Sequence, residues 1–156
     1  MTGTLWVRNR QRVRRVNTVL LRRIIRSLLA ETFKIASCEL CFHLVASREI
    51  SRVNETFLGH EGSTDVITFD HGDVASEPSS LRGEIFICLD DAVEQAQVFR
   101  TTWMEELVRY AIHGLLHLRG YDDLHPASRR AMKRVEGRLL RELKKRFPIA
   151  QLGRSR

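Results

Sequence analysis

The spacing of hydrophobic residues predicts a chain in which short strands alternate with amphipathic helices. Four stretches are rich in β-branched residues or alternate between apolar and polar positions, which is typical of strands: LWVRN (5–9), CELCFHLV (38–45), DVITF (65–69) and GEIFICL (83–89). Elsewhere apolar residues recur every three or four positions, which predicts five helices: 17–33, 47–57, 90–99, 103–118 and 126–146. This order predicts an α/β (α+β) fold with a mixed sheet of about four strands.

Turn-forming residues divide the second half of this pattern. Gly120 follows the last apolar position of one helix and ends it, and Pro126 suits the first turn of the next helix. The polar segment 71–83 is predicted as a loop. We therefore expect one domain over residues 1–150, followed by a basic C-terminal tail at 151–156.

Composition is that of an ordinary globular protein. The chain has 156 residues, of which 43% are hydrophobic and 29% are charged. The most apolar stretch near the N-terminus, VLLRRIIRSLLA, is interrupted by Arg22, Arg23 and Arg26, so it contains neither a signal-peptide core nor a membrane span. We expect a cytoplasmic protein without a membrane partner.

The three cysteines do not form a recognisable metal or disulfide framework. Cys38 and Cys41 are three residues apart on a predicted strand, where their side chains point to opposite faces of the sheet. An odd number of cysteines is also typical of a reducing compartment. We therefore interpret both as ordinary strand residues.

Charge is distributed unevenly along the chain. Residues 1–34 contain nine Lys or Arg and one Glu, and residues 128–156 contain eleven Lys or Arg and two Glu. The segment between them contains six Arg and sixteen Asp or Glu. Two basic ends around an acidic centre indicate either a polyanionic partner such as RNA or solvated helix faces.

The segment HGLLHLRGYDDLHP (113–126) contains the strongest chemical signal. His113 and His117 are four residues apart on the predicted helix, so both imidazoles project from one face and can bind one divalent cation. The turn at Gly120 can return a third ligand over that face, which gives the three-ligand pattern of catalytic zinc. Gly114 replaces the glutamate of HExxH metalloproteases, which argues against peptide hydrolysis and leaves room for backbone or substrate to approach.

HGLLHLRGYDD resembles the signature H-G-x-L-H-L-x-G-Y-D-H of the YbeY family of bacterial endoribonucleases, which act as rRNA maturation factors. Two upstream segments also resemble that family: VNETFLGHEGSTDVITF (53–69) and GEIFIC (83–88). The resemblance extends over nearly the whole chain. It implies a zinc-dependent, single-strand-specific endoribonuclease that acts in 16S rRNA 3′-end processing and ribosome quality control. It also implies precursor rRNA, the small ribosomal subunit and its assembly factors as partners.

Two positions depart from the family pattern. The third metal-binding histidine falls on Asp123, and register favours this carboxylate as the third ligand, although His125 is an alternative two residues later. An arginine proposed in the family to contact the scissile phosphate is replaced by Leu58. Another cation would then have to contact RNA, and four arginines are candidates: Arg82, Arg119, Arg22 and Arg23.

Mechanism and class are left partly open by the sequence. Zn²⁺ would act as a Lewis acid or activate water, whereas an aspartate ligand also widens the choice of metal towards iron, nickel or manganese. No catalytic side chain is assigned; Asp65, Asp122 and Glu84 are acidic but also have structural interpretations. The alternatives are a ribosome-associated RNA-binding assembly factor with a structural metal and a metal-dependent hydrolase of a small substrate.

Overall fold

The computed structural model describes residues 1–72 and 78–154, within which the chain forms one mixed sheet and five α-helices. The elements in chain order are β1 (Thr2–Asn9), α1 (Thr18–Ser27), β2 (Ser37–Val45), α2 (Ser47–Val53), β3 (Val66–Asp70), β4 (Ser80–Cys88), α3 (Leu89–Phe99), α4 (Trp103–Leu118) and α5 (Pro126–Arg146). Single helical turns add three more segments: Leu28–Thr32 after α1, Asn54–Leu58 after α2 and Ile149–Gly153 after α5. The predicted fold class is confirmed.

The sheet has the strand order β1-β2-β4-β3. β1 is parallel to β2 and β2 is parallel to β4, whereas β3 runs antiparallel to β4 at one edge. β4 begins at Ser80, within the segment that was predicted as a loop, because Ser80 pairs with Ser37 of β2. Backbone pairing here outweighs the polar character of the side chains, so this part of the loop prediction is wrong; its residues 73–77 lie outside the described residues.

One face of the sheet is covered by helices. Alternate residues of β2 and β4, among them Phe42 and Ile85, are fully buried in the main core together with residues of α1 and α4. Gly114 of α4 allows the helix to lie directly on β4, because a Cβ atom at 114 would lie 2.8 Å from Cγ2 of Ile85. Gly114 therefore accommodates the sheet rather than a substrate, which corrects the interpretation drawn from the sequence.

The other face of the sheet is only partly covered. α2 packs over one end of it around Ile50 and Cys88. Elsewhere this face carries polar side chains, including the cluster of His43, His71 and Glu84 that we call the sheet cluster. Cys38 and Cys41 are both free thiols; Cys38 is buried in the main core, and Cys41 lies near His43, as expected for opposite faces of a strand.

Helix ends follow the expected local chemistry. Thr102 and Glu105 form the capping box of α4, and the backbone N–H of Glu105 donates to Thr102 Oγ1 over 3.1 Å. Pro126 occupies the first turn of α5. Leu152, in the turn that follows α5, is fully buried in the main core, and the expected boundary at residue 150 falls within this turn. Among the described residues, no helix combines the length and apolar character that a membrane crossing requires.

Candidate metal centre

Three predicted ligands are brought together by α4 and the turn that follows it. His113 and His117 lie one turn apart near the end of α4. Gly120 then adopts φ 96°, a conformation that side chains disfavour, and Tyr121 N–H donates to Leu116 O over 3.0 Å. The chain is thereby turned back over the helix, which places Asp123 beside the two imidazoles.

The donor atoms of these residues form a compact triangle. Nε2 of His113 lies 3.0 Å from Nε2 of His117, and each lies 3.6 Å from Oδ2 of Asp123. The point equidistant from the three atoms is about 2.0 Å from each, which is the length of a zinc–ligand bond. The three residues are thus a group that could hold a metal ion.

Hydrogen bonds on the outer side of both rings determine their tautomers. Nδ1 of His113 donates to Glu136 Oε2 over 2.8 Å, and Nδ1 of His117 donates to the carbonyl oxygen of Tyr121 over 3.1 Å. Because carboxylate and carbonyl oxygens only accept, each neutral ring carries its proton on Nδ1. The two Nε2 lone pairs then face each other at 3.0 Å, an arrangement that a cation between them would relieve.

Acidic groups dominate the electrostatics of the centre. Burial by itself lowers the pKa of His113, but the hydrogen bond and charge of Glu136, together with Asp65 and Asp123, raise it above its ordinary value. Glu136 is 5% exposed and belongs to α5. Sequence reasoning missed it, although an acid in line with Met132 and Leu143 on the apolar side of a basic helix is a signal for such a role.

The centre lies between two cavities. The helix cavity has a volume of about 400 Å³ and is lined by residues of α3, α4 and α5, among them Gln95, Phe99, Glu106, Tyr110, Arg129 and Lys133. The strand cavity has a volume of about 470 Å³ and is lined from β3 and the segment before it, among others by Asn54, Leu58, His60, Thr64 and Thr68. Asp65, His113 and Asp123 belong to the walls of both cavities, so the metal centre is accessible from two sides.

The structure places the remaining predicted site positions at different distances from the centre. His125 immediately precedes α5 and is exposed, and it is not among the three residues whose donor atoms converge. Leu58 is 44% exposed and lies in the wall of the strand cavity. The position that often carries an arginine in the family that the sequence resembles is therefore near the metal centre. In this chain the residue there, Leu58, is apolar.

The four arginines suggested as RNA contacts lie outside the walls of both cavities. Arg82 pairs with Glu39 on the partly covered face of the sheet, and Arg119 donates to Phe33 O. Arg22 donates to Leu5 O, and Arg23 is an exposed residue of α1. None of the four lines the helix cavity or the strand cavity.

The acidic residues near the motifs have distinct contacts. Asp122 accepts from Leu124 N–H within the turn, and Glu84 accepts from His43 and His71 on the sheet. Asp65 accepts from Val66 N–H at the start of β3 but also lines both cavities. Of these three, Asp65 alone lies beside the metal centre.

The fold and this centre define an α/β protein in which three residues that could hold a metal ion lie where two cavities meet. A family profile described as endoribonuclease YbeY matches residues 6–144. A curated endoribonuclease YbeY from Parabacteroides distasonis is 37% identical over 112 residues, which are 72% of this chain and 76% of the relative. Another from Chlorobium phaeovibrioides is 41% identical over 96 residues, 62% of each chain.

A solution structure of a Thermotoga maritima protein has the same fold, with a TM-score of 0.60, 24% identity and 93% of both chains covered. The chain described here belongs to the YbeY family of endoribonucleases. The family resemblance seen in the sequence is thus confirmed. The predicted enzyme class, endoribonuclease, is confirmed with it.

Proposed function

We propose that this chain is a metal-dependent endoribonuclease that binds one Zn²⁺ through His113, His117 and Asp123. The observation that carries the proposal is the convergence of two Nε2 atoms and one carboxylate oxygen where two cavities meet. Family membership supports RNA as the substrate. An endonuclease must accept a chain that continues on both sides of the cleaved bond, and the two cavities provide space for that.

The donor set suits zinc. Two imidazoles and one carboxylate are a three-ligand set that leaves a position open in tetrahedral coordination, although the carboxylate also suits iron, nickel or manganese. A metal ion held there supplies Lewis-acid polarisation of a phosphoryl oxygen and activation of water. The chain itself orients the ligands: Glu136 holds the ring of His113, and the carbonyl group of Tyr121 holds that of His117.

The substrate we propose is single-stranded precursor rRNA, cleaved in maturation of the 16S rRNA 3′ end and in ribosome quality control. The partners would be the small ribosomal subunit and its assembly factors, in the cytoplasm. Support comes from family membership and from the basic character of α5, whose Arg129 and Lys133 lie in the wall of the helix cavity. Phosphate contacts of this kind make affinity fall steeply with salt.

The proposal is tested with purified protein, its His117→Ala and Asp123→Ala variants, and His125→Ala as a matched control. Metal content and cleavage of a labelled single-stranded RNA are measured, with the same RNA paired to its complement as a second substrate. We expect about one zinc per chain, cleavage of the single strand only, and loss of both metal and cleavage in the first two variants. Loss that follows His125 instead would overturn the ligand assignment.

One observation favours a hydrolase of a small substrate as second candidate. Leu58 gives the strand cavity an apolar wall where the family often has a phosphate-binding arginine. That function predicts turnover of small phosphate or carboxylate esters by metal-loaded protein that neither binds nor cleaves RNA. Folded, metal-loaded protein that cleaves neither RNA nor small esters would instead indicate a binding factor with a structural metal.

A further inference from the structure

One face of α3 and one face of α4 contribute side chains to the helix cavity. Asp91, Gln95 and Phe99 are spaced four residues apart on α3, so they lie on one face of that helix. Glu106 and Tyr110 have the same spacing on α4 and line the same cavity. This concave site, about 400 Å³ in volume, has the size of a small-ligand pocket. Its wall combines two aromatic side chains, Phe99 and Tyr110, with ionisable groups of both signs, a lining that suits a charged ligand.

The cations of this cavity border the metal centre. Arg129 Nε donates to the carbonyl oxygen of Asp123 over 3.3 Å, which places the guanidinium group next to the proposed third metal ligand. Lys133 follows one turn later on α5 and lines the same cavity. A guanidinium group in this position can contact a phosphate of RNA held at the metal centre, a role that Leu58 cannot fill.

Among the carboxylates in the cavity wall, Glu106 belongs to α4. Glu106 is 4% exposed, and within the described part of the chain its buried Oε2 atom has no hydrogen-bond partner. Its nearest cation is Arg109, with Nε 3.6 Å from that oxygen. Burial raises the pKa of Glu106 above its ordinary value, and the charge of Arg109 offsets this only in part. A further hydrogen-bond donor in the cavity would therefore stabilise the charged carboxylate.

An aromatic side chain completes this arrangement. Phe99 is 65% exposed at the end of α3 and lines the cavity. Exposed aromatic residues are the usual stacking partners of unpaired bases. A carboxylate beside them accepts hydrogen bonds only, and guanine is the base whose Watson–Crick edge carries two adjacent donors, the N1–H and the N2 amino group.

We propose that the helix cavity binds a guanine nucleotide adjacent to the scissile phosphodiester of the RNA. Arg129 contacts its phosphate, and Phe99 stacks on the base, whose N–H groups donate to Glu106. This inference rests on the proposed endoribonuclease function and adds a base preference to it.

Binding of nucleoside 5′-monophosphates to the metal-loaded protein tests the inference. GMP, IMP, AMP, UMP and inorganic phosphate are titrated while backbone amide shifts are followed by NMR. IMP lacks only the N2 amino group, so we expect it to bind about tenfold more weakly than GMP, the loss of one hydrogen bond to a charged acceptor. Shift changes should fall on α3, α4 and α5.

Matched variants separate the three contacts. Phe99→Ala should weaken GMP binding about fivefold or more, whereas Val98→Ala, an equally exposed neighbour outside the cavity, should not. Arg129→Ala should weaken GMP binding, with Arg130→Ala as its control, and Glu106→Gln should abolish the preference of GMP over IMP. Circular dichroism verifies that each variant is folded.

Cleavage of single-stranded RNA by the same samples distinguishes failure of the guanine nucleotide site from failure of the endoribonuclease function. If the protein cleaves RNA but binds GMP, IMP and inorganic phosphate equally, or binds GMP elsewhere, the base site is overturned and the function stands. If GMP binds in the cavity as expected but no RNA is cleaved, the nucleotide site stands and the function is overturned.

Discussion

Two clusters in this molecule have the same composition and opposite chemistry. The metal centre and the sheet cluster each combine two histidines with one carboxylate, and they lie on opposite faces of the same sheet. In the sheet cluster the two oxygens of Glu84 are each taken by one ring, with Oε1 2.9 Å from His43 Nε2 and Oε2 3.0 Å from His71 Nε2. In the metal centre both Nε2 atoms and one Asp123 oxygen converge on a common point.

The difference lies in which nitrogen of each ring is anchored. His113 and His117 are held from outside through Nδ1, by Glu136 and by the carbonyl oxygen of Tyr121, so their Nε2 lone pairs remain for a metal. In the sheet cluster the Nε2 atoms already bond to the only carboxylate, and His43 is further held by stacking on Phe86 with ring centroids 4.3 Å apart. A cluster of ligand-type residues is thus a metal site only when its neighbours leave the donor atoms free and convergent.

Replacing one histidine in each cluster tests directly whether the two clusters differ in metal binding. His113→Ala should lower the bound metal from about one per chain to near zero, because the proposed site would keep only two of its three donors. His43→Ala should leave the metal content unchanged. Elemental analysis of both dialysed variants, with circular dichroism to verify folding, gives the result. Equal metal loss in the two folded variants would mean that the clusters differ less than their geometry indicates.

The anchoring carboxylate should have the next largest effect. Glu136→Ala removes the acceptor that holds His113, and loss of such a partner typically lowers metal affinity about 10- to 100-fold. Glu136→Gln keeps a hydrogen-bond acceptor without the charge, so its metal affinity should lie between those of the unaltered protein and Glu136→Ala. Competition with a chromophoric chelator measures the affinity, and Glu142→Ala, an exposed acid on the same helix, is the control. An unchanged affinity in Glu136→Ala would show that ring orientation does not depend on α5.

The sequence revealed the parts of this site that depend on local spacing. The predicted ligands His113 and His117 lie one helical turn apart, and Asp123 follows after a glycine turn, so their proximity depends on residues that are close in sequence. The strands and helices were predictable for the same reason, except where β1 and β4 extend beyond the predicted strands through pairing with β2.

The parts that depend on tertiary packing could not be predicted in the same way. Glu136 reaches His113 from another helix, 23 positions later, and no local pattern states that contact. Gly114 has its role because Ile85 lies beneath it, which only the packing of α4 on β4 reveals. The position of the arginines is a further example: Arg82 and Arg119 lie near the motifs in sequence, whereas Arg129 of α5 lies beside the centre in space.

The smallest expected effect is the contribution of the sheet cluster to stability at low pH. Hydrogen bonds from His71 and then His43 hold the pKa of Glu84 below its ordinary value. Because the folded-state pKa is lower than the unfolded one, this carboxylate stabilises the fold above about pH 4.3, and the contribution is lost as the pH falls through the folded-state pKa. The side chain is 39% exposed, so solvent screening keeps the contribution small.

Glu84→Gln therefore should flatten the decline of unfolding free energy between about pH 5 and pH 3, without changing metal content at neutral pH. Urea unfolding at each pH, followed by circular dichroism, measures this, and His71→Ala should give an intermediate slope because one of the two hydrogen bonds remains. A steeper decline in Glu84→Gln, or loss of metal from it, would mean that the two faces of the sheet are coupled. An independent sheet cluster requires that the effect be confined to stability at low pH, since each oxygen of its carboxylate accepts a hydrogen bond from an imidazole on the opposite face of the sheet from the metal centre.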